Sequence, residues 1–130
     1  SWSEAIFRDC LGGDYQAWVM VQGSLDIANA VLGFIVSLVQ VGEGQILKVA
    51  IRQRAQGQGY GRQLVEHALN EMQQDVRRIF LEVRVSNVQA VAFYQAMGFK
   101  AVGQRRDYYR TDDGREDAIV IERVIEHGSM

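Results

Sequence analysis

A glycine-rich segment with two recognisable neighbours most constrains what this chain can fold into. The segment reads Gln56-Gly57-Gln58-Gly59-Tyr60-Gly61-Arg62 and follows a predicted strand that ends at Ile51. The residues after it predict an amphipathic helix, because apolar side chains recur at helical spacing at Leu64, Val65, Ala68, Leu69 and Met72. Successive glycines let the backbone approach a ligand, and a helix N-terminus carries partial positive charge. The placement predicts a phosphate-binding cradle, with a flexible loop as the alternative.

The pattern on either side of this segment predicts a mixed α/β fold. We expect a short helix over residues 4–11, then antiparallel strands over residues 15–22, 30–41 and 44–51. After the amphipathic helix come a strand over 79–85, a helix over 88–97 that Gly98 ends, and strands over 99–109 and 117–124. The middle of the chain is therefore a βαβ crossover between antiparallel pairs. The prediction is one domain over residues 1–130, with a mixed, mostly antiparallel sheet of about six strands.

Composition disfavours several classes of function. The 130 residues carry 14 Lys and Arg against 16 Asp and Glu, so no overall positive field favours nucleic acid. The longest apolar run, residues 28–41, is broken by polar residues and falls short of the roughly 20 that span a membrane. The single cysteine, Cys10, cannot form an internal disulfide, and no signal-like start is present, which favours the cytoplasm. His67 and His127 have no partners at metal-site spacing, so no metal is expected.

The spacing of the glycines distinguishes two kinds of nucleotide site. Gly57, Gly59 and Gly61 alternate, so the third glycine comes one residue too early for the dinucleotide-binding fingerprint. The strands before them also look antiparallel, whereas a Rossmann domain opens with parallel ones. The Gln-x-x-Gly-x-Gly spacing from Gln56 to Gly61 instead resembles the coenzyme A pyrophosphate loop of the GNAT superfamily of acetyltransferases.

The resemblance continues along most of the chain. Four segments of this chain are similar to the second half of the GNAT core: Leu81-Glu82-Val83-Arg84, Ser86-Asn87, Ala92-Phe93-Tyr94 and Met97-Gly98-Phe99. Three further segments resemble the RimI-type branch of the superfamily: Arg105-Arg106, Tyr108-Tyr109 and Asp113-Gly114-Arg115-Glu116-Asp117-Ala118. This resemblance implies the GNAT fold and transfer of acetyl from acetyl-CoA to an amine. The RimI-type likeness implies the N-terminal alanine of a ribosomal protein as the acceptor.

The resemblance also implies roles for individual residues. Glu82 would be the general base, acting through water, and Tyr94 the general acid for the coenzyme A sulfur. Cofactor contacts would come from the strand backbone, the glycine-rich loop and the next helix start, at Val49, Ala50, Ile51, Gly57, Gln58, Gly59, Tyr60, Gly61, Arg62 and Asn87. The structural alternatives stay open: Glu82 facing solvent or paired with Arg84 or another cation, Tyr94 packing beside Phe93, and Asn87 as a helix cap alone.

Three departures from the family pattern affect these expectations. Many relatives have a basic residue where Gly57 stands, and RimI-type chains commonly have proline where Arg110 stands. A strand and helix usually precede the part that resembles residues 1–4, and their absence predicts a truncated domain. The strand over residues 15–22 would then have an unpaired edge that could join a second chain in a dimer.

The acceptor is the least determined part of the prediction. An α-amine has a pKa of about 7.7 to 8.0 against about 10.4 for lysine, which favours an N-terminal acceptor for a modest base. Lysine, a small-molecule amine, or a silent acyl-CoA-binding module are the alternatives. Acidic and aromatic side chains near the C-terminus form either an approach for a basic peptide or an ordinary solvated hairpin: Tyr108, Tyr109, Asp112, Asp113, Glu116 and Asp117.

Overall fold

The computed structural model describes residues 5–12, 14–23 and 30–126, with side chains from residue 14 onward. The described residues form one seven-stranded sheet in the order β1-β2-β3-β4-β5-β7-β6. The strands are β1 (Ala5–Gly12), β2 (Tyr15–Val21), β3 (Val31–Gln40), β4 (Glu43–Ile51), β5 (Arg78–Arg84), β6 (Lys100–Thr111) and β7 (Gly114–Val124). The helices are α1 (Tyr60–Met72) and α2 (Val88–Ala96), with a short 3₁₀ turn over Gln53–Ala55. Only the β4–β5 pair is parallel among these pairings, so the predicted mixed sheet is confirmed.

The first element differs from the prediction. Residues 5–12 form strand β1 and pair antiparallel with β2, where the sequence pattern predicts a helix over residues 4–11. An isolated helix of eight residues is marginal in water, whereas a strand gains backbone partners along the neighbouring strand. The sheet therefore has seven strands, one more than predicted. The predicted unpaired edge of β2 is also wrong, because β2 lies between β1 and β3.

The core lies between the sheet and the two helices. Helix α1 buries the apolar stripe predicted for it against side chains of β2, β3 and β4, among them Trp18, Met20, Ile35 and Ile46. Full burial of an apolar side chain of this size stabilises the fold by about 1.5 to 3 kcal/mol. Gly98 follows α2 with a φ of +90°, which is the left-handed conformation that ends a helix. The predicted end of α2 is confirmed.

Strands β4 and β5 are paired at one end and diverge toward the other. Their parallel register covers Glu43 to Gln45 and stops there, although β4 continues to Ile51. Gly44 allows this close approach, since a Cβ at that position would lie 3.1 Å from both Ile79 Cγ1 and Met72 Sδ. Arg78 fastens the same end, because it bonds to Glu43 on β4 and to Glu122 on β7. Hydrogen bonds to these two carboxylates raise the pKa of Arg78.

A β-bulge in β4 accompanies the divergence. Val36 pairs with Lys48 and Ser37 pairs with Ile46, so Leu47 is an extra residue on β4. A bulge bends its strand and re-aims the neighbouring backbone groups. Beyond the bulge, β4 keeps its partner β3, while its register with β5 has ended. The two strands therefore enclose an open cleft between them.

Candidate active site

The cleft between β4 and β5 brings together residues that are distant in the sequence. It has a volume of about 500 Å³. Its walls come from β4, β5, α2 and β6, at Ile46, Leu47, Lys48, Val49, Leu81, Glu82, Val83, Arg84, Asn87, Ala90, Tyr94 and Tyr109. Both predicted catalytic residues, Glu82 and Tyr94, lie in this cleft.

Glu82 and Tyr94 reach the cleft from opposite faces of the sheet. Leu81 and Val83 pack in the core with Tyr94, on the face that the helices cover. Side chains alternate along a strand, so Glu82 between them points to the other face. The cleft passes between β4 and β5 and connects the two faces. One ligand can thus enter from the helix side and another from the Glu82 side.

The carboxylate of Glu82 is held in place by residues of β6. Its side chain is only 7% exposed, and Arg105 Nε lies 2.8 Å from Glu82 Oε1. A hydrogen bond to Glu82 is also the main cause of a raised pKa at Tyr108. The Tyr109 hydroxyl donates to the backbone carbonyl of Glu82 at 3.2 Å. Of the sequence alternatives for Glu82, the structure shows a pairing with a cation, and the cation is Arg105.

Tyr94 is a buried phenol at the other side of the cleft. Its side chain is 7% exposed and packs edge-on against Phe93 and Phe99, with ring centroids 4.9 Å and 5.5 Å away. Burial raises the pKa of Tyr94 to about 12. Within residues 14–23 and 30–126, no hydrogen bond to the Tyr94 hydroxyl is present. The ring therefore has the packing role that the sequence left open, and the hydroxyl is available to a ligand in the cleft.

Asn87 connects the cleft to the start of α2. Its side-chain oxygen accepts a hydrogen bond from the Ala90 backbone N–H at 3.1 Å, so the predicted cap is confirmed. Asn87 also lines the cleft, as does Val49 of β4. Ala50 and Ile51 instead line a separate apolar groove beside Gly33 and Phe34. The structure thus brings Val49 and Asn87 together and leaves the other two strand residues outside the cleft.

The glycine-rich loop has the geometry of an anion cradle. Gly57 and Gly59 have φ angles of +81° and +83°, and Gly59 immediately precedes α1. A Cβ at either glycine would meet no atom of the described residues within 4 Å. Helix α1 has no side chain that caps its N-terminus, so its first backbone N–H groups are available to a ligand. Gln56, whose role the sequence did not predict, fixes the loop by donating from Nε2 to the Ile51 carbonyl at 3.0 Å.

Two acidic residues of the C-terminal hairpin, Glu116 and Asp117, accept hydrogen bonds from other residues of the chain. Glu116 accepts hydrogen bonds from Arg84 Nη1 at 3.0 Å and Ser86 Oγ at 3.1 Å. Asp117 accepts from the Asp107 backbone N–H at 2.9 Å, which lowers the pKa of Asp117. Asp112 and Asp113 form the exposed two-residue turn. Arg110 pairs in regular register with Arg115.

Two features are absent from the part of the chain that the structure describes. Neither helix in that part combines the length and the apolar character needed to cross a membrane. In the same residues, no three His, Cys, Asp or Glu side chains are grouped so that they could hold a metal ion.

Known proteins resemble this chain along most of its length. Residues 2–99 match the acetyltransferase (GNAT) family. The ribosomal protein bS18-alanine N-acetyltransferase of Escherichia coli strain K12 is 36% identical over 121 residues, which are 92% of this chain and 78% of that protein. The crystal structure of the ribosomal-protein-S18-alanine N-acetyltransferase from Escherichia coli gives a TM-score of 0.80 at 34% identity, over 91% of this chain and 74% of the other. A chain of the NatC complex bound to Gag peptide and CoA gives a TM-score of 0.75 at 26% identity, over 85% of this chain and 71% of the other.

Proposed function

Because this chain belongs to the acetyltransferase (GNAT) family and is an acetyl-CoA-dependent N-acetyltransferase, we propose that it acetylates the N-terminal alanine of a ribosomal protein. The observation that carries this proposal is the cleft through the sheet, with Glu82 on one face and Tyr94 on the other. A donor on the helix side and a peptide on the Glu82 side would meet between β4 and β5.

The glycine-rich loop and the start of α1 fit the coenzyme A part of the donor. The left-handed glycines leave open space in front of the uncapped helix N-terminus, where a pyrophosphate would be held by backbone N–H groups. Gly57, Gln58, Gly59, Tyr60, Gly61 and Arg62 make up this cradle. Val49 and Asn87 would contact the donor where it enters the cleft. When bound, acetyl-CoA supplies an activated acetyl group as a thioester.

Glu82 is suited to the acceptor side of the reaction. A protein N-terminus arrives largely as an ammonium group near neutral pH and must lose a proton before it can attack. The Glu82 carboxylate, fixed by Arg105, is in position to accept that proton, directly or through a water molecule. Backbone N–H groups near the β4 bulge would polarise the acetyl carbonyl.

Tyr94 is suited to the donor side. A phenol with a pKa of about 12 stays protonated throughout the physiological range, so it carries the proton that the departing sulfur needs. Donation of this proton to the departing sulfur would leave a phenolate on Tyr94. Amide formation removes a second proton from the acceptor nitrogen, which would restore the phenol, while Glu82 passes the first proton to solvent. No metal has a role in this sequence of proton transfers.

The choice of an N-terminal α-amine rests on two arguments. An α-amine with a pKa of about 7.7 to 8.0 is partly neutral near pH 7.5, whereas lysine is almost entirely charged. The similar Escherichia coli protein carries the name of a ribosomal protein bS18-alanine N-acetyltransferase. An acceptor of that kind would place this chain in the cytoplasm, where ribosomal proteins are made.

The test is a mass-spectrometric acceptor panel with the full chain and acetyl-CoA. The panel contains a peptide that starts with alanine, a lysine peptide with a blocked N-terminus, and a polyamine. We expect acetylation of the alanine peptide in clear preference to the other two. Preference for lysine or the polyamine would overturn the proposed acceptor. Binding of acetyl-CoA without transfer to any of the three would indicate a silent acyl-CoA-binding module.

A further inference from the structure

Strand β6 contains a bulge with two extra residues opposite Asp117. Arg105 pairs with Ala118 and Tyr109 pairs with Glu116, so residues 106–108 lie opposite one residue of β7. Two extra residues are thus accommodated in β6 between Arg105 and Tyr109. A bulge of this size removes ladder hydrogen bonds and re-aims the side chains on either side of it.

The central residue of the bulge has an uncommon backbone conformation. Asp107 has a φ of +53°, which side chains other than glycine seldom adopt. Side chains of β7 satisfy both of its backbone polar groups. Asp117 accepts from the Asp107 N–H at 2.9 Å, and Arg115 Nη1 donates to the Asp107 carbonyl at 3.3 Å. A second donor, the side-chain amide of Gln104, holds the other carboxylate oxygen of Asp117.

The bulge determines what surrounds Glu82. Arg105, which precedes it, forms the 2.8 Å ion pair with Glu82, and its guanidinium lies 5.6 Å from the centre of the Tyr108 ring. Tyr108, which ends it, faces the same carboxylate. Regular pairing would place successive side chains of β6 on alternate faces of the sheet. The two extra residues give β6 the length that lets the side chains of Arg105 and Tyr108 both reach Glu82.

We infer that Asp117 is a positioning residue: it holds the β6 bulge in the shape that places Arg105 and Tyr108 against Glu82. The inference rests on the proposed role of Glu82 at the acceptor side of the reaction. Asp117 touches neither substrate, and its effect passes through the backbone of Asp107. The donor cradle belongs to a different part of the chain, the start of α1 after β4, whereas the bulge lies in β6.

The test compares three variants of the full chain. Asp117→Ala removes the acceptor for the Asp107 N–H, and Asp117→Asn keeps an oxygen at the same place without the charge. Asp75→Ala removes an exposed carboxylate elsewhere on the surface, after α1. Acetyl-CoA affinity and melting temperature are measured for each, together with KM and kcat for the alanine peptide.

We expect Asp117→Ala to reduce kcat/KM for the peptide by about tenfold or more while acetyl-CoA affinity stays within about twofold. Asp117→Asn is expected to recover most of the loss, and Asp75→Ala to match the parent. Equal losses in the alanine and asparagine variants would show that the charge acts and not the bulge. Parental peptide kinetics in folded Asp117→Ala would overturn the inference.

A second readout does not depend on activity. The hydrogen bond to Glu82 raises the pKa of Tyr108, so a loosened bulge should return that pKa toward the ordinary tyrosine value. Titration of ¹³C-labelled tyrosine by NMR follows Tyr108 once Tyr108→Phe has assigned its signal. An unchanged Tyr108 titration in Asp117→Ala would contradict the positioning role. If this titration shifts but no variant and no parent acetylates the peptide, the proposed function fails and the positioning of Glu82 stands.

Discussion

Arg105 Nε lies 2.8 Å from Glu82 Oε1, and the two side chains differ greatly in exposure, 55% for the arginine against 7% for the glutamate. The carboxylate is therefore fixed, while the guanidinium retains contact with solvent. An exposed partner limits the stabilisation from such a pair to about 1 kcal/mol or less. The ion pair thus fixes the position of the proposed base and contributes little to the stability of the fold.

Glu82→Gln is predicted to impair transfer and to leave donor binding nearly unchanged. At neutral pH the turnover of an alanine peptide should fall by about 10²-fold or more, because no group then accepts the ammonium proton. Turnover should recover partly as the pH rises, since the amine loses its proton to solvent. The pH profile of kcat and acetyl-CoA calorimetry check both parts. Glu71→Gln, an exposed site on α1, is the matched control. Parental turnover of Glu82→Gln across neutral pH would make Glu82 a structural residue.

Tyr94→Phe is predicted to separate chemistry from packing. The change keeps the ring and its edge contacts with Phe93 and Phe99, so the melting temperature at neutral pH should move little. Single-turnover acetylation should fall by about 10²-fold or more, because the proton for the departing sulfur is lost. A large drop in melting temperature with loss of acetyl-CoA binding would instead identify Tyr94 as a core residue without a chemical role.

The same residue predicts a difference in stability at high pH. Burial raises the pKa of Tyr94 to about 12 in the folded state, above the value of about 10 in the unfolded chain. Between these values the unfolded chain binds fewer protons, so the free energy of unfolding falls as the pH rises. The fall attributable to Tyr94 is about 2 kcal/mol by pH 12. Denaturant unfolding of the parent and of Tyr94→Phe between pH 9 and about pH 12 gives the free energy of unfolding of each against pH, and the difference between the two curves measures this fall. Parallel curves would refute the argument that burial raises the pKa of Tyr94.

Gly59→Ala is predicted to weaken coenzyme A binding through the cradle. The left-handed conformation costs a non-glycine residue about 1 kcal/mol or more, and the new Cβ would occupy the space in front of α1. Calorimetry should show the dissociation constant rising by about tenfold or more. Gly42→Ala provides a close control, because Gly42 has a φ of +78° and similarly open surroundings in the β3–β4 turn. Equal affinity of the two variants for coenzyme A would contradict the proposal that the glycine-rich loop holds the coenzyme A pyrophosphate.

The sequence predicts the parts of this fold that depend on local pattern. The apolar stripe of α1, the short β-branched run of β5 and the glycine after α2 follow from spacing and backbone preference. The sequence predicts a helix over residues 4–11 because Ile6, Phe7, Cys10 and Leu11 fall at helical spacing, whereas residues 5–12 form a strand that pairs with β2. Such a tertiary contact leaves no mark within the segment itself.

The candidate site likewise has some features that local sequence pattern predicts and others that it does not. The glycine spacing and the cap at Asn87 could be predicted, since each requires particular residue types at fixed separations. The ion pair between Arg105 and Glu82 could not, because its geometry depends on the extra residues in β6 and on their pairing with β7. Likewise, the bulge at Leu47 is a property of strand register. Acidic residues of the hairpin illustrate the limit, because Glu116 and Asp117 accept hydrogen bonds from other residues of the chain, whereas Asp112 and Asp113 form the exposed turn.

The most direct test of the proposed acceptor is a competition between two amines of one peptide. A peptide that carries both a free N-terminal alanine and an internal lysine is incubated with the full chain and acetyl-CoA, and tandem mass spectrometry locates the acetyl group. Both amines then have the same concentration and the same donor, so the position of the label reports the acceptor alone. The account predicts acetyl on the alanine nitrogen, at least about tenfold over the lysine. Acetyl mainly on the lysine, or in equal amounts on both, would contradict it.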